Sequence, residues 1–303
     1  MRLQKINSLL LCLGWPLLVS ATTVIEDLQA LTSSDFAGRK AGSETPNLAA
    51  HYIHGRMATL GLTPQWQHFR YRVGFSEDKY GHNVLGHLPC NQTSCTQALV
   101  ISAHYDHLGG TNTRFYPGAN DNASGVAALL ALAQKLADQP RHRDVWFLAS
   151  DAEEAGLHGA YHFLQTYQGP PLGLNINLDM LAVGANNTLY LLSSKETELQ
   201  HFLPQLKHIP LKVRHTHSSR HLGRMTKDER VDWLKASDHY AFYRNDIAFI
   251  YVGMGNDSKH HTVQDDFASV DQSRYLAAVE VVKVLTAHFV GSSRVGSLPS
   301  TTN

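Results

Sequence analysis

Two adjacent glutamates, Glu153 and Glu154, sit in the stretch Asp151-Ala152-Glu153-Glu154-Ala155-Gly156. They follow a short apolar run, Val145 to Ala149, which reads as a buried strand of a parallel sheet. Leu157 to Tyr167 reads as the helix beyond them. In open α/β sheets ligands bind outside the carboxyl ends of the strands. Adjacent side chains at a turn point to different targets. One glutamate can therefore hold a metal ion while the other faces a substrate as a base. Alone, the pair reads more readily as two solvated loop acids.

Other metal-type residues recur where inferred strands end. His104 and Asp106 follow a strand over 98–102, and Asp179 follows one over 174–178. Asp121 lies in the turn Asn120-Asp121-Asn122-Ala123-Ser124-Gly125, and His261 follows a strand over 247–252 after a glycine-containing loop. Each has an ordinary reading by itself; Asp121, for instance, suits a helix cap. Five such positions at strand ends of one chain point to a common site.

The elements that must position them alternate between strand and helix. Helical spacing covers 22–34, a helix begins at Thr45-Pro46 and runs to Met57, and strands read at 65–73 and 82–88. An alanine-rich helix spans 126–136, a strand 188–192, an amphipathic helix 196–206, a short helix 240–243 and a closing helix 273–289. This alternation predicts a three-layer α/β/α sandwich around a mostly parallel, mixed central sheet. Residues 210–235 are basic and His-rich, and read either as a lid over the cleft or as a surface insertion. The tail from Gly291 reads as frayed.

Composition narrows the class. Hydrophobic content of 43% with 17% charged residues fits a globular chain of 303 residues. Lys+Arg and Asp+Glu balance at 26 each, so no global charge draws the chain to nucleic acid or an anionic membrane. Arg2 and Lys5 precede the apolar stretch Leu9 to Val19, and Val19-Ser20-Ala21 suits a cleavage site. Residues 1–21 thus read as a secretory signal peptide. Cys90 and Cys95 lie between strand-like runs. In an exported protein they read as a disulfide closing a hairpin, with free thiols the alternative.

The order of motifs resembles the M28 family of co-catalytic zinc aminopeptidases. It is carried by His104-x-Asp106, Gly118 to Gly125, Glu153-Glu154-x-Gly156-x-x-Gly159, Asn177-Leu178-Asp179-Met180 and His261-Thr262-x-x-Asp265. Phe36-Ala37-Gly38-Arg39 and Ser237-Asp238-His239 resemble that family's opening and late motifs. The resemblance covers nearly the whole chain after residue 21 and implies a single peptidase domain over 22–303.

It also implies roles. Asp121 would bridge two zinc ions. His104 and Asp179 would complete one, and Glu154 and His261 the other. Glu153 would be the general base, and Asp106 would orient His104. A cis peptide bond is implied after Asp106, leaving His107 a neighbour and not a ligand. His260 stands beside His261 and is the fallback ligand. Val263 replaces the proline that many members carry after the His-Thr pair.

The implied activity is that of an exported, monomeric dizinc aminopeptidase removing one residue from a free N-terminus. Glutaminyl cyclase, carboxypeptidase or dipeptidase chemistry on the same fold is the alternative. A non-catalytic binding module is the third reading, and the intact ligand set argues against it. Met180, Tyr240, Phe242, Tyr251 and Met254 neighbour the motifs and are candidates for an apolar side-chain pocket.

Overall fold

A computed structural model describes residues 16–43, 46–95, 97–184, 186–195, 197, 199, 202–255 and 257–291. Most of the segment read as a signal peptide, residues 1–15, lies outside the described residues, as does the tail over 292–303. No helix among the described residues is long and apolar enough to cross a membrane.

An eight-stranded mixed sheet forms the middle layer. Its strands are β1 (Gln65–Tyr71), β2 (Lys79–Leu88), β3 (Ala98–His104), β6 (Val145–Ser150), β7 (Leu172–Leu178), β8 (Thr188–Ser193), β9 (Lys212–Thr216) and β10 (Ala248–Gly253). The spatial order is β1-β2-β6-β3-β7-β10-β8-β9. The central run β6-β3-β7-β10 is parallel, and β2 and β8 pair antiparallel to its flanks. A separate small hairpin, β4 (Gly110–Thr111) with β5 (Arg114–Phe115), lies in the polar stretch before Gly118.

Side-chain alternation along the strands builds two cores. Leu99, Ile101 and Ala103 of β3 join one core, with Val145, Phe147 and Ala149 of β6. Helices α1 (Pro16–Leu31), α2 (Leu48–Thr59), α3 (Ser124–Ala137) and α7 (Gln272–Gly291) cover that face. Val100 and Leu148 point the other way, to Phe163 of α4 (His158–Thr166) and Phe242 of α6 (His239–Tyr243). Helix α5 (Ser219–Thr226) adds Leu222 to a third cluster, with Trp233 and Tyr251. The α3 sequence is small and apolar all round because it is buried nearly all round.

Several expectations are corrected. Cys90 and Cys95 do form a disulfide, but it closes no hairpin, because β6 lies between β2 and β3. The reason is apolar: β6 buries five of its six residues and so belongs inside the sheet. Helix α2 starts after Asn47, whose side-chain oxygen accepts the Ala50 amide at 2.9 Å, not at Thr45-Pro46. Among the described residues of 196–206 only the 3-10 turn Leu203–Leu206 is helical, with Pro204 in its first turn. The stretch 210–235, read as a lid or a surface insertion, supplies edge strand β9 and helix α5.

One buried cation ties the layers together. The Arg39 side chain is 1% exposed. Its guanidinium donates to the carbonyls of Tyr105 (2.8 Å), Leu31 (2.8 Å), Pro117, Gly118 (2.9 Å) and Asp121 (3.4 Å). That satisfies the fork completely and pins the end of α1 to the loop that carries Asp121. Arg39→Met would leave these buried carbonyls without donors. The expected loss is at least about 3 kcal/mol, read from the urea midpoint.

Candidate metal centre

The parallel strands β6, β3, β7 and β10 all end at one rim, and the predicted residues gather there. His104 is the last residue of β3, and Asp179 follows β7 directly. Glu153 and Glu154 occupy the turn after β6, closed by the Gly156 and Leu157 amides donating to the Glu153 carbonyl at 2.8 and 2.9 Å. These side chains line a cleft of 380 Å³.

The turn carrying Asp121 is held by its own polar neighbours. Asn120 accepts the Ala182 and Val183 amides at 3.0 and 2.9 Å. Asn122 donates to the Leu178 carbonyl at 2.9 Å and accepts the Gly125 amide at 3.0 Å. The Ser124 hydroxyl donates to the Asn120 carbonyl and accepts the Leu181 amide. A Cβ on Gly125 would stand 2.5 Å from the Leu178 carbonyl oxygen, so only glycine lets α3 approach β7 there. Asp265 accepts the Asn120 and Asp121 amides at 2.7 and 3.0 Å. Each polar residue of the motif thus fixes Asp121 against Asp179. The non-proline cis bond is Asp121–Asn122, which corrects the expectation for Asp106–His107. Beyond Asp106 the chain bridges from His107 to Lys40 instead.

Asp121 faces two ways. Its Oδ1 lies 3.3 Å from His104 Nε2, which is 3.6 Å from Asp179 Oδ1. Its Oδ2 lies 3.2 Å from His261 Nε2, which is 3.2 Å from Glu154 Oε2. Two donor groups result, each with its ligand atoms within 4.8 Å of one another. Tetrahedral zinc bonds of ~2.0–2.1 Å place neighbouring ligand atoms about 3.3 Å apart, so the spacing suits the ion. Asp179 Oδ1 is buried with no hydrogen-bond donor, the condition of an acceptor awaiting a cation. The donor set therefore fits zinc.

All five predicted ligands converge. His260 Nε2 also reaches Asp121 Oδ2 at 3.1 Å, but only His261 joins Glu154 in a donor group. Asp106 stays beside His104 and takes further partners. Its carboxylate accepts the Glu153 and Glu154 amides at 3.0 and 3.3 Å, while His104 Nδ1 stands 3.7 Å away and 3.2 Å from the Asp106 carbonyl. Its firm contacts hold the glutamate turn. His107, read as a mere neighbour, is drawn into the second donor group. Asn120, Asn122, Asp265 and Arg39 were given no roles, although all lie inside or beside motifs already legible.

Of the pocket candidates, Met180 and Tyr251 line the cleft. Phe242 and Met254 are core, and Tyr240 stacks on Tyr243. Ser237, Asp238 and His239 are buried behind the rim. There Asn177 links Ser102 to Ser237, and the Ser150 hydroxyl donates to Asp238. His239 Nε2 lies 3.0 Å from the Trp233 carbonyl, steadying the cleft wall of Val231, Trp233 and Ala236.

Charge accumulates at this rim. Burial alone would push the His104 imidazole down, but Glu153, Asp106, Asp121 and Asp179 outweigh it and hold it well above the usual range. Bonds to Asp121 and Glu154 raise His261 to about 10. Burial pushes the Glu153 carboxyl up against the pull of His104, with Asp238, Asp179 and Glu154 adding to the rise. Without a cation, protons on the histidines balance the carboxylates, and a metal must displace them. Zinc added to the metal-free protein at pH 7 should therefore release protons, measurable with an indicator dye in unbuffered solution. Because each ligating histidine gives up its proton, zinc affinity should fall as pH falls.

Known proteins resemble this chain in sequence and fold. The profile of Peptidase family M28 matches residues 83–286. The alkaline phosphatase isozyme conversion protein of Escherichia coli K12 is 30% identical over 54% of this chain and 51% of its own. Aminopeptidase YwaD of Bacillus subtilis is 33% identical over 33% of this chain and 21% of its own. The chain thus spans about half or less of the length of these curated relatives. Among solved structures, the zinc aminopeptidase BSAP of Bacillus subtilis superposes with a TM-score of 0.73 at 15% identity, covering 91% of this chain and 97% of its own. A glutaminyl cyclase of Bacteroides thetaiotaomicron superposes with a TM-score of 0.65 at 18% identity, covering 87% and 96%. Such identities establish a shared fold, and the matched profile shows that this chain belongs to peptidase family M28.

Proposed function

We propose that the chain is an exported aminopeptidase that holds two zinc ions and hydrolyses the first peptide bond of a peptide with a free N-terminus. The observation that carries this reading is the pair of donor groups sharing Asp121, one with His104 and Asp179, the other with Glu154 and His261. Glu153 lines the same cleft outside both groups. The leader-like residues before 22 and the Cys90–Cys95 disulfide support export.

Two zinc ions at these residues would polarise the scissile carbonyl and make a bound water acidic near neutrality. Glu153 takes the proton of the attacking water and passes it to the departing amine. The Asp106 carboxylate, through the Glu153 and Glu154 amides, keeps the two glutamates aimed at separate tasks. Burial keeps the Glu153 carboxyl protonatable, which suits a group that must carry a proton between steps. Leu157, Met180, Val231, Trp233 and Tyr251 give the cleft an apolar wall for the first side chain. We therefore assign the preference to large apolar N-terminal residues, with the 210–235 segment contributing that wall.

Glutaminyl cyclisation is the second reading, favoured by the fold shared with glutaminyl cyclases. Metal count and product separate the two. The test uses Glu153→Gln beside the unaltered chain on a panel of amino-acid anilides and an N-terminal glutaminyl peptide. Turnover of leucyl and phenylalanyl anilides should fall by at least about 10²–10⁴ in the variant while bound zinc is unchanged. Chelation should abolish activity in the unaltered chain, and zinc should restore it. Retained turnover in Glu153→Gln, or cyclisation with a single ion, would refute the assignment.

A further inference from the structure

His107 has no role in the reading above, yet it is among the most confined side chains of the centre, at 2% exposed. Its amide donates to the Arg39 carbonyl at 3.2 Å. A Cβ on Gly118 would stand 2.6 Å from its ring, so the loop is shaped around it. Its Nδ1 lies 2.8 Å from Glu154 Oε1 and 3.6 Å from Asp121 Oδ2. The other oxygen of the same carboxylate, Oε2, is the one that faces His261, at 3.2 Å.

Distance decides between two roles. Atoms bound to one tetrahedral zinc stand about 3.3 Å apart, from bonds of ~2.0–2.1 Å. The His261–Glu154 and His261–Asp121 spacings meet that value. The His107–Glu154 spacing is shorter and matches a charge-assisted hydrogen bond of about 2.7–2.9 Å. An ionised carboxylate only accepts, so Nδ1 carries the hydrogen. Among the described residues the opposite nitrogen, Nε2, is buried without a hydrogen-bond partner, and Nδ1 makes its hydrogen bond to Glu154, with Asp121 Oδ2 farther off at 3.6 Å.

We propose that His107 is a positioning residue for the second zinc: its Nδ1–H occupies Oε1 of Glu154, leaving Oε2 alone to meet the ion beside His261 and Asp121. The inference rests on the two-ion reading. It makes Glu154 a one-oxygen ligand and keeps a coordination position open, as catalytic zinc requires. It also separates His107 from the ligands, although its ring nitrogen lies within the same donor group.

The test is a zinc titration of the full chain against a competing chelator, with metal per chain counted for the unaltered protein, His107→Ala and His107→Asn. Asparagine presents an N–H near the place of Nδ1; alanine presents none. The unaltered chain should bind two ions. His107→Ala should weaken one ion by about 10–100-fold and leave the other unchanged. His107→Asn should recover most of that loss. If the alanine chain does not melt cooperatively, His107→Leu, which keeps bulk without the donor, takes its place. Unchanged affinity in His107→Ala overturns the proposal, and so does an equal loss in His107→Asn, which would make the ring itself a ligand. An unaltered chain that binds only one ion refutes the underlying two-ion reading, and does so before any variant is compared.

Discussion

The constraint on which the structure depends is the crowding of carboxylates around Asp121. Asp121, Asp179, Glu153 and Glu154 meet at one largely buried rim with Asp106 directly behind them. Like charges in a medium less polar than water repel strongly. Histidines answer part of that charge from the front, and cations of the right spacing would answer the rest. Asp121 remains ionised far below the usual carboxylate range because His104, His260 and His261 outweigh the burial that opposes it.

Holding such a cluster requires a frame that cannot relax away from it. The frame is largely backbone amides captured by side chains. Asn120 and Asn122 bind the segment after β7, Asp265 binds the Asp121 turn, and Asp106 binds the glutamate turn. Arg39, buried and fully bonded, secures the outer side of the loop. The candidate ligands therefore come from strand ends and short turns, and the residues beside them in sequence hold them still.

Much of this was legible before any coordinates. The central strands are apolar runs bounded by small or charged residues, and most candidate ligands stand where those runs stop. The family motifs pointed to five candidate ligands and a free glutamate, and the geometry brings those five candidates together. What escaped was long-range pairing. Nothing local announces that β6 separates β2 from β3, because strand order depends on which strand most needs burial on both faces. Strand β9 and helix α5 escaped for the opposite reason. β9 is an edge strand whose alternate residues face solvent, so its composition resembles loop. Trp233 was overlooked in the same basic stretch, although its neighbours Val231 and Ala236 share the cleft wall. The Asp106 contacts show a subtler limit. The resemblance implies that Asp106 orients His104, and the carboxylate does stand 3.7 Å from that imidazole, but its shorter contacts are to two amides nearly fifty positions away.

The central claim is that Asp121 is shared between two cations. Anomalous diffraction recorded on either side of the zinc absorption edge, from crystals grown with zinc, tests it most directly. Two peaks about 3.5–4 Å apart are expected, one beside His104 and Asp179 and the other beside Glu154 and His261, with an oxygen of Asp121 on each. A single peak, or two peaks that leave Asp121 without a metal contact, would contradict it.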